Sequence, residues 1–202
     1  GTNHVYILKE TGEIVDNCQK RPQRLFEERE LLVDECADYL QQALHLLKAK
    51  VGDNLHVILT VSPIRYAKYG FHGSQLSKAT LQLAAEKVRR ENPGVLSYFP
   101  AYEIVMDDLR DYRFYAADMV HPSDVAIGYI WQSFQAAYFD DASTQAIARC
   151  ERVMKRLTHR PMTVNREIVE RFYADTKAVV TNLVKEYPYI ANIKEINDLI
   201  SE

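Results

Sequence analysis

Glycine is scarce in this chain, with 7 in 202 residues, roughly half of what average usage supplies. A protein of short strands joined by tight turns needs more, so the scarcity argues for long helices. Cysteine is scarcer still. The three, at positions 18, 36 and 150, are odd in number and widely spaced, which excludes a disulfide framework and a four-cysteine metal site and points to a reducing, cytoplasmic setting. No HxxxH or CxxC spacing occurs, so neither a metal nor another cofactor is expected. No apolar run approaches the length a membrane-spanning helix needs. Neither sign of charge dominates: 25 Lys+Arg against 28 Asp+Glu leaves −3 with His neutral, which is no footprint for nucleic acid. What the chain does have is apolar residues, 47% with 10% aromatic, enough to exclude disorder and to build a sizeable core.

The chain opens Gly1-Thr2-Asn3-His4 and runs directly into the apolar stretch Val5–Leu8, with no signal-peptide pattern. The expectation is a piece of something longer. Two short strands, Val5–Leu8 and Glu13–Val15, flank a Gly12 turn and read as a hairpin closed by Asn17-Cys18. After the Arg21-Pro22 break, apolar residues from Leu31 to Leu47 recur at helical spacing until Gly52-Asp53-Asn54 stops them. Leu55–Val61 then reads as a strand buried on both faces, 74–90 as a helix capped by Ser74, and Val95–Phe99 as another strand. Strands separated by helical crossovers predict parallel pairing in an α/β layered sheet. From Pro122, taken as the first helical residue, the pattern is helical throughout: 122–138, 144–157, 164–185 after the His159-Arg160-Pro161 break, and 193–200. This divides the chain into an α/β domain over 1–139 and a helical extension over 140–202 packed on it.

The stretch Asp118-Met119-Val120-His121-Pro122-Ser123 carries the clearest chemistry. An aspartate three residues before a histidine meets it when the intervening turn is tight. The carboxylate then fixes the imidazole tautomer and leaves the other ring nitrogen as a general base. Taken alone, the spacing is equally that of an ordinary loop acceptor beside a surface histidine. Ser62, at a strand end before Pro63, is a candidate functional group, although such a serine commonly bonds its own backbone. Cys18 beside Lys20 is a candidate to line the site. Arg110 and Arg113 around Asp111 are candidates to hold an anionic group or to form surface ion pairs, and His4 is a candidate to face the same cleft. The aromatics Tyr98, Phe99, Tyr102, Tyr112, Phe114 and Tyr115 read as a stacking wall for a sugar or as core packing.

Several blocks occur together and in order: Asn17-Cys18-Gln19-Lys20-Arg21-Pro22, Thr60–Arg65, Gln75–Ala79, Tyr98–Glu103, Asp111–Asp118 and Leu157–Pro161. Together with Asp118-x-x-His121-Pro122 they resemble the GSCFA family, a bacterial group similar to the SGNH/GDSL hydrolases. The resemblance spans about residues 1 to 165. It implies a three-layer α/β/α fold with a parallel central sheet, N-terminally incomplete here. It further implies ester hydrolysis or acyl transfer on a small or carbohydrate-linked ester, with His121 as base and Asp118 as its orienter. Gly1 and Asn3 correspond to a block that supplies oxyanion donors in such enzymes. The family's Gly-Ser-Cys-Phe motif, which holds its presumed nucleophilic serine, does not occur in these 202 residues. The chain alone is therefore expected to be inactive, with a partial triad.

A second reading is a non-catalytic binding or assembly module of the same fold. Because a missing strand leaves backbone groups and apolar faces to be covered, a homodimer contact is expected. A small-molecule substrate, and neither nucleic acid nor membrane, completes the expected partners.

Overall fold

The structure, a computed structural model, describes all residues except 16, 17, 19, 160, 194, 195 and 198–202. The Asn17 and Gln19 positions of the first shared block, Arg160 of the 159–161 break and most of the expected 193–200 helix lie outside the described residues. The chain is mixed α/β and mostly helical. It forms two compact units, Gly1–Phe134 and Gln135–Glu202.

In the first unit β1 (His4–Leu8) pairs antiparallel with β2 (Ile14–Val15), the hairpin that the sequence predicts, turned at Gly12 with φ 73°. On its other side β1 pairs along its whole length with β3 (Phe26–Glu30), also antiparallel. The sequence pattern did not predict β3, because four of its five residues are charged. It is an edge strand, where charged side chains face water and discourage further pairing. Only Phe26 is buried.

Helix α1 (Val33–Val51) follows; the Glu35 carboxylate accepts from the Leu32 N–H at 2.9 Å, filling one of the free donors of its first turn. Gly52, at φ 85°, ends it as expected. Then come β4 (Val57–Leu59), α2 (Gly70–Glu91) and β5 (Leu96–Tyr98), with β4 and β5 paired in parallel. The parallel crossover is thus present. The parallel sheet has two strands, however, and β4 is half-buried rather than buried on both faces, having one neighbour instead of two. Leu31, Cys36, Ala37 and Leu44 pack against Ala84, Val88 and Leu96, with Val57 and Leu59 beside them. This cluster joins α1, α2 and the parallel pair through one core.

Helix α2 begins four residues before the predicted start, so Ser74 is not its cap. The Ser74 hydroxyl accepts instead from the Tyr66 N–H at 3.2 Å and ties the preceding loop to the helix. After β5, α3 (Ala101–Glu103) continues into a π-helical turn over Ile104–Asp108. Val105 and Leu109 of this segment form a second cluster with Ala126 of α4 (Asp124–Tyr138). Pro122 lies ahead of α4 and not at its first position. Ser123 caps the helix, its hydroxyl accepting from the Ala126 N–H at 3.3 Å.

The second unit contains α5 (Asp141–Thr158) and α6 (Arg166–Glu186). Each starts at a residue suited to capping: Asp140 accepts from the Ser143 N–H at 2.8 Å and Asn165 from the Glu167 N–H at 3.0 Å. Val153, Val180, Leu183, Ile190 and Ile196 form its core. Among the described residues no helix is long and apolar enough to cross a membrane.

Candidate functional site

The segment between β5 and α4 folds into a tight loop whose ends are held together. Tyr115 and Pro122 form an isolated antiparallel bridge, the Ala116 N–H donates to the His121 carbonyl at 2.8 Å, and the Ser123 N–H donates to the Phe114 carbonyl at 2.8 Å. Met119, at φ 59°, takes the left-handed conformation that reverses the chain. Inside this loop one oxygen of Asp118 accepts from the backbone N–H groups of Val120, at 2.9 Å, and His121, at 3.0 Å. The other lies 2.6 Å from His121 Nδ1.

These contacts set the protonation states. The His121 N–H, the His121 ring and the Val120 N–H together stabilise the Asp118 carboxylate and lower its pKa to about 2. An ionised carboxylate only accepts, so Nδ1 carries the proton and donates. In the neutral ring Nε2 then presents its lone pair, and both side chains are half exposed.

Next to this loop is a cleft of about 960 Å³, lined by residues 63–67, by Gly70, Phe71, Ser74, Gln75 and Lys78 of α2, and by Tyr102, Val105, Met106 and 110–112. Tyr115 and the Asp118-Met119-Val120 tip complete the wall. The loop is fastened across it: the Arg65 N–H donates to the Val120 carbonyl at 2.9 Å, and the Arg65 guanidinium to the Met119 carbonyl at 3.3 Å. Asp118 thus lines the cleft. His121 is the next residue after the lining Val120 and is not itself part of the lining.

The remaining candidates divide. Asn3 is buried at 2% exposure; its amide donates to the Leu31 carbonyl at 2.8 Å and to Glu30 at 3.3 Å, while its backbone N–H donates to Ser77 at 2.9 Å. This residue joins β1, β3 and α2. The Gly1 carbonyl accepts from Lys78 Nζ at 2.8 Å. Ser62 accepts from the Ile64 N–H at 3.3 Å through its hydroxyl, the local bond anticipated from its position, and from Lys78 Nζ at 2.6 Å through its carbonyl. Arg113 pairs with Asp111 at 2.7 Å on the surface, and its N–H and guanidinium hold the Asp111 carboxyl below the usual range. Cys18 is a half-buried free thiol. None of Gly1, Asn3, Cys18, Ser62 and Arg113 lines the cleft.

His4 is likewise elsewhere, stacked on Tyr69 with ring centroids 3.6 Å apart. Tyr102, Tyr112 and Tyr115 of the aromatic cluster do line the cleft. Tyr98 bonds Glu103 at 2.8 Å, and Phe99 and Phe114 pack inside.

Two cleft residues, Arg65 and Lys78, were not singled out from the sequence. Lys78 had a legible signal. It falls in register with Leu81, Ala85 and Val88 on the buried stripe of α2, where a cation is out of place unless something holds it.

An α/β unit whose cleft is edged by an ionised aspartate fastened to a histidine is a scaffold for proton-transfer chemistry. The family model described as the GSCFA family matches residues 1–134, and the chain belongs to the GSCFA family. No curated protein and no solved structure matches it.

Proposed function

We propose that the cleft is the substrate site of an SGNH-like ester hydrolase or acyltransferase, with His121 as general base and Asp118 as the group that orients it. The 2.6 Å contact between Asp118 Oδ2 and His121 Nδ1 carries this reading. It leaves Nε2 to take a proton from a nucleophilic hydroxyl during attack and to return it to the leaving alcohol. Asp118 stabilises the imidazolium formed in between. In this reading the nucleophile is a serine of a Gly-Ser-Cys-Phe segment outside these 202 residues. The β4–β5 pair and its helices are then part of a three-layer α/β/α sheet completed by that segment.

Fusing a family segment that carries Gly-Ser-Cys-Phe ahead of Gly1 tests the assignment. The fused chain should hydrolyse p-nitrophenyl acetate, and His121→Ala should lower kcat by about 10⁴-fold or more. The unfused chain should stay at background. Turnover by the unfused chain that survives His121→Ala contradicts the reading.

One observation favours a non-catalytic binding module instead. The Asn3 amide is already committed to Leu31 and Glu30, so in this conformation it is not an oxyanion donor. A fused chain that folds, binds small esters and never turns them over would select that alternative.

A further inference from the structure

Lys78 is 2% exposed, an extreme value for the side chain that is among the least often buried. Its Nζ donates to the carbonyls of Gly1, at 2.8 Å, and Ser62, at 2.6 Å. Both acceptors are neutral. Among the described residues no carboxylate pairs with it, and burial pulls its pKa below the ordinary lysine value. An ammonium has three N–H donors, so the two carbonyls fix its position and leave one donor. Lys78 lines the cleft, with its Nζ 5.9 Å from the Tyr102 ring centroid.

The other charges of the cleft sharpen the picture. Arg110 is paired with Asp107, Asp111 with Arg113, and Asp118 with His121. Of the cations that line the cleft, Arg65, packed 5.1 Å from the Phe71 ring and 5.2 Å from the Tyr115 ring, is the second that has no ion pair with a described residue. Of the two acids that line the cleft, Asp111 is neutralised by Arg113, and Asp118 is committed to two backbone N–H groups and the His121 ring, whereas Lys78 and Arg65 have no carboxylate partner among the described residues. A desolvated ammonium of this kind gains from an anionic oxygen much more than a hydrated surface lysine does. The surrounding walls are aromatic and apolar, among them Phe71, Tyr112 and Met106.

We infer that the cleft binds an organic anion, an acid group of the carboxylate or phosphate-monoester type on an apolar or ring-bearing body, with Lys78 as the residue that pairs with the acid. This rests on the cleft being the ligand site proposed above, and it is independent of any hydrolysis. Arg65 adds to the positive field, and the aromatic side chains hold the body of the ligand.

The test is direct binding to the 202-residue chain of three probes of similar size: phenyl phosphate, phenylacetate and neutral 2-phenylethanol. At least one acid should bind about tenfold or more tightly than the alcohol, and the tighter acid identifies the group. Its saturation should shift the 13Cε resonance of Lys78. Lys78→Met, which keeps the length of the side chain and removes the charge, should bring the three affinities to within about twofold of one another. Equal affinities in the wild type, or an acid preference that survives Lys78→Met, overturns the inference. Should Lys78→Met fail to fold, the wild-type resonance decides: a Lys78 signal unmoved at saturation overturns it. Acid preference in a chain whose fused form never hydrolyses esters would separate this inference from the catalytic reading.

Discussion

Asp118 spends both of its oxygens within its own loop, one on two backbone N–H groups and the other on the His121 ring. The arrangement makes the aspartate a hinge pin as well as a partner for the imidazole. Its carboxyl, lowered to about 2 in the folded chain from an ordinary 3.8, yields a signed pH prediction. A depressed carboxyl contributes stability that is present above the unfolded value and lost as pH falls through the folded one. The loop should therefore persist through pH 4 and loosen between about 4 and 2. The 13C shift of the Asp118 carboxyl should titrate with a midpoint at about 2, and a midpoint at or above 3.8 would show that the three hydrogen bonds do not form in solution. At this scale the sequence was informative about Asp118 and His121, because a three-residue spacing closed by a proline and a serine constrains the local geometry. It anticipated the local bond of the Ser62 hydroxyl and the surface pairing of Arg113, and was uninformative about Asn3 and about the Ser62 carbonyl. Their partners, Leu31 and Lys78, are brought in by tertiary placement, which spacing does not encode. Lys78 stands between these cases: its place on an apolar stripe was visible, and its two carbonyl acceptors, contributed by Gly1 and Ser62, were not.

Among the elements, the hairpin, α1, the parallel β4–β5 pair, α5 and α6 could all be read from periodicity and turn residues, since each repeats a pattern over several positions. β3 could not. Phe26-Glu27-Glu28-Arg29-Glu30 has the composition of a solvated helix and becomes a strand because β1 offers it an edge. Its one buried side chain bears the energetic load, and the Arg21 guanidinium lies 5.7 Å from the Phe26 ring centroid. Glu28 on the same strand takes Lys68 at 2.6 Å and the Tyr69 hydroxyl, linking the antiparallel sheet to the start of α2. Phe26→Ala should destabilise the first unit by about 3 kcal/mol, measured by urea denaturation, whereas Glu27→Ala should be close to neutral. A loss below about 1 kcal/mol for Phe26→Ala would mean that β3 is not docked as described. The early start of α2 has a similar cause. Gly70 at φ 68° and an exposed Phe71 give no apolar pattern, and the helix there is anchored by Ser74 reaching back to Tyr66.

On the scale of the whole molecule, the match to the GSCFA family and the first compact unit cover the same residues, 1 to 134. The cleft, the Asp118–His121 pair, Arg65 and Lys78 all fall inside that range. The family relationship therefore bears on the unit that contains the candidate site. The function proposed above has Asp118 and His121 acting as one device on a substrate held in this cleft. A double-mutant cycle on the fused, serine-bearing chain probes this coupling, with kcat for p-nitrophenyl acetate measured for the parent, Asp118→Asn, His121→Ala and the double variant. Groups that work as a unit are strongly non-additive. Each single change should lower kcat by about 10³-fold or more, and the double variant should be no slower than His121→Ala alone. Losses that multiply, or single changes that cost less than about threefold, would contradict the claim.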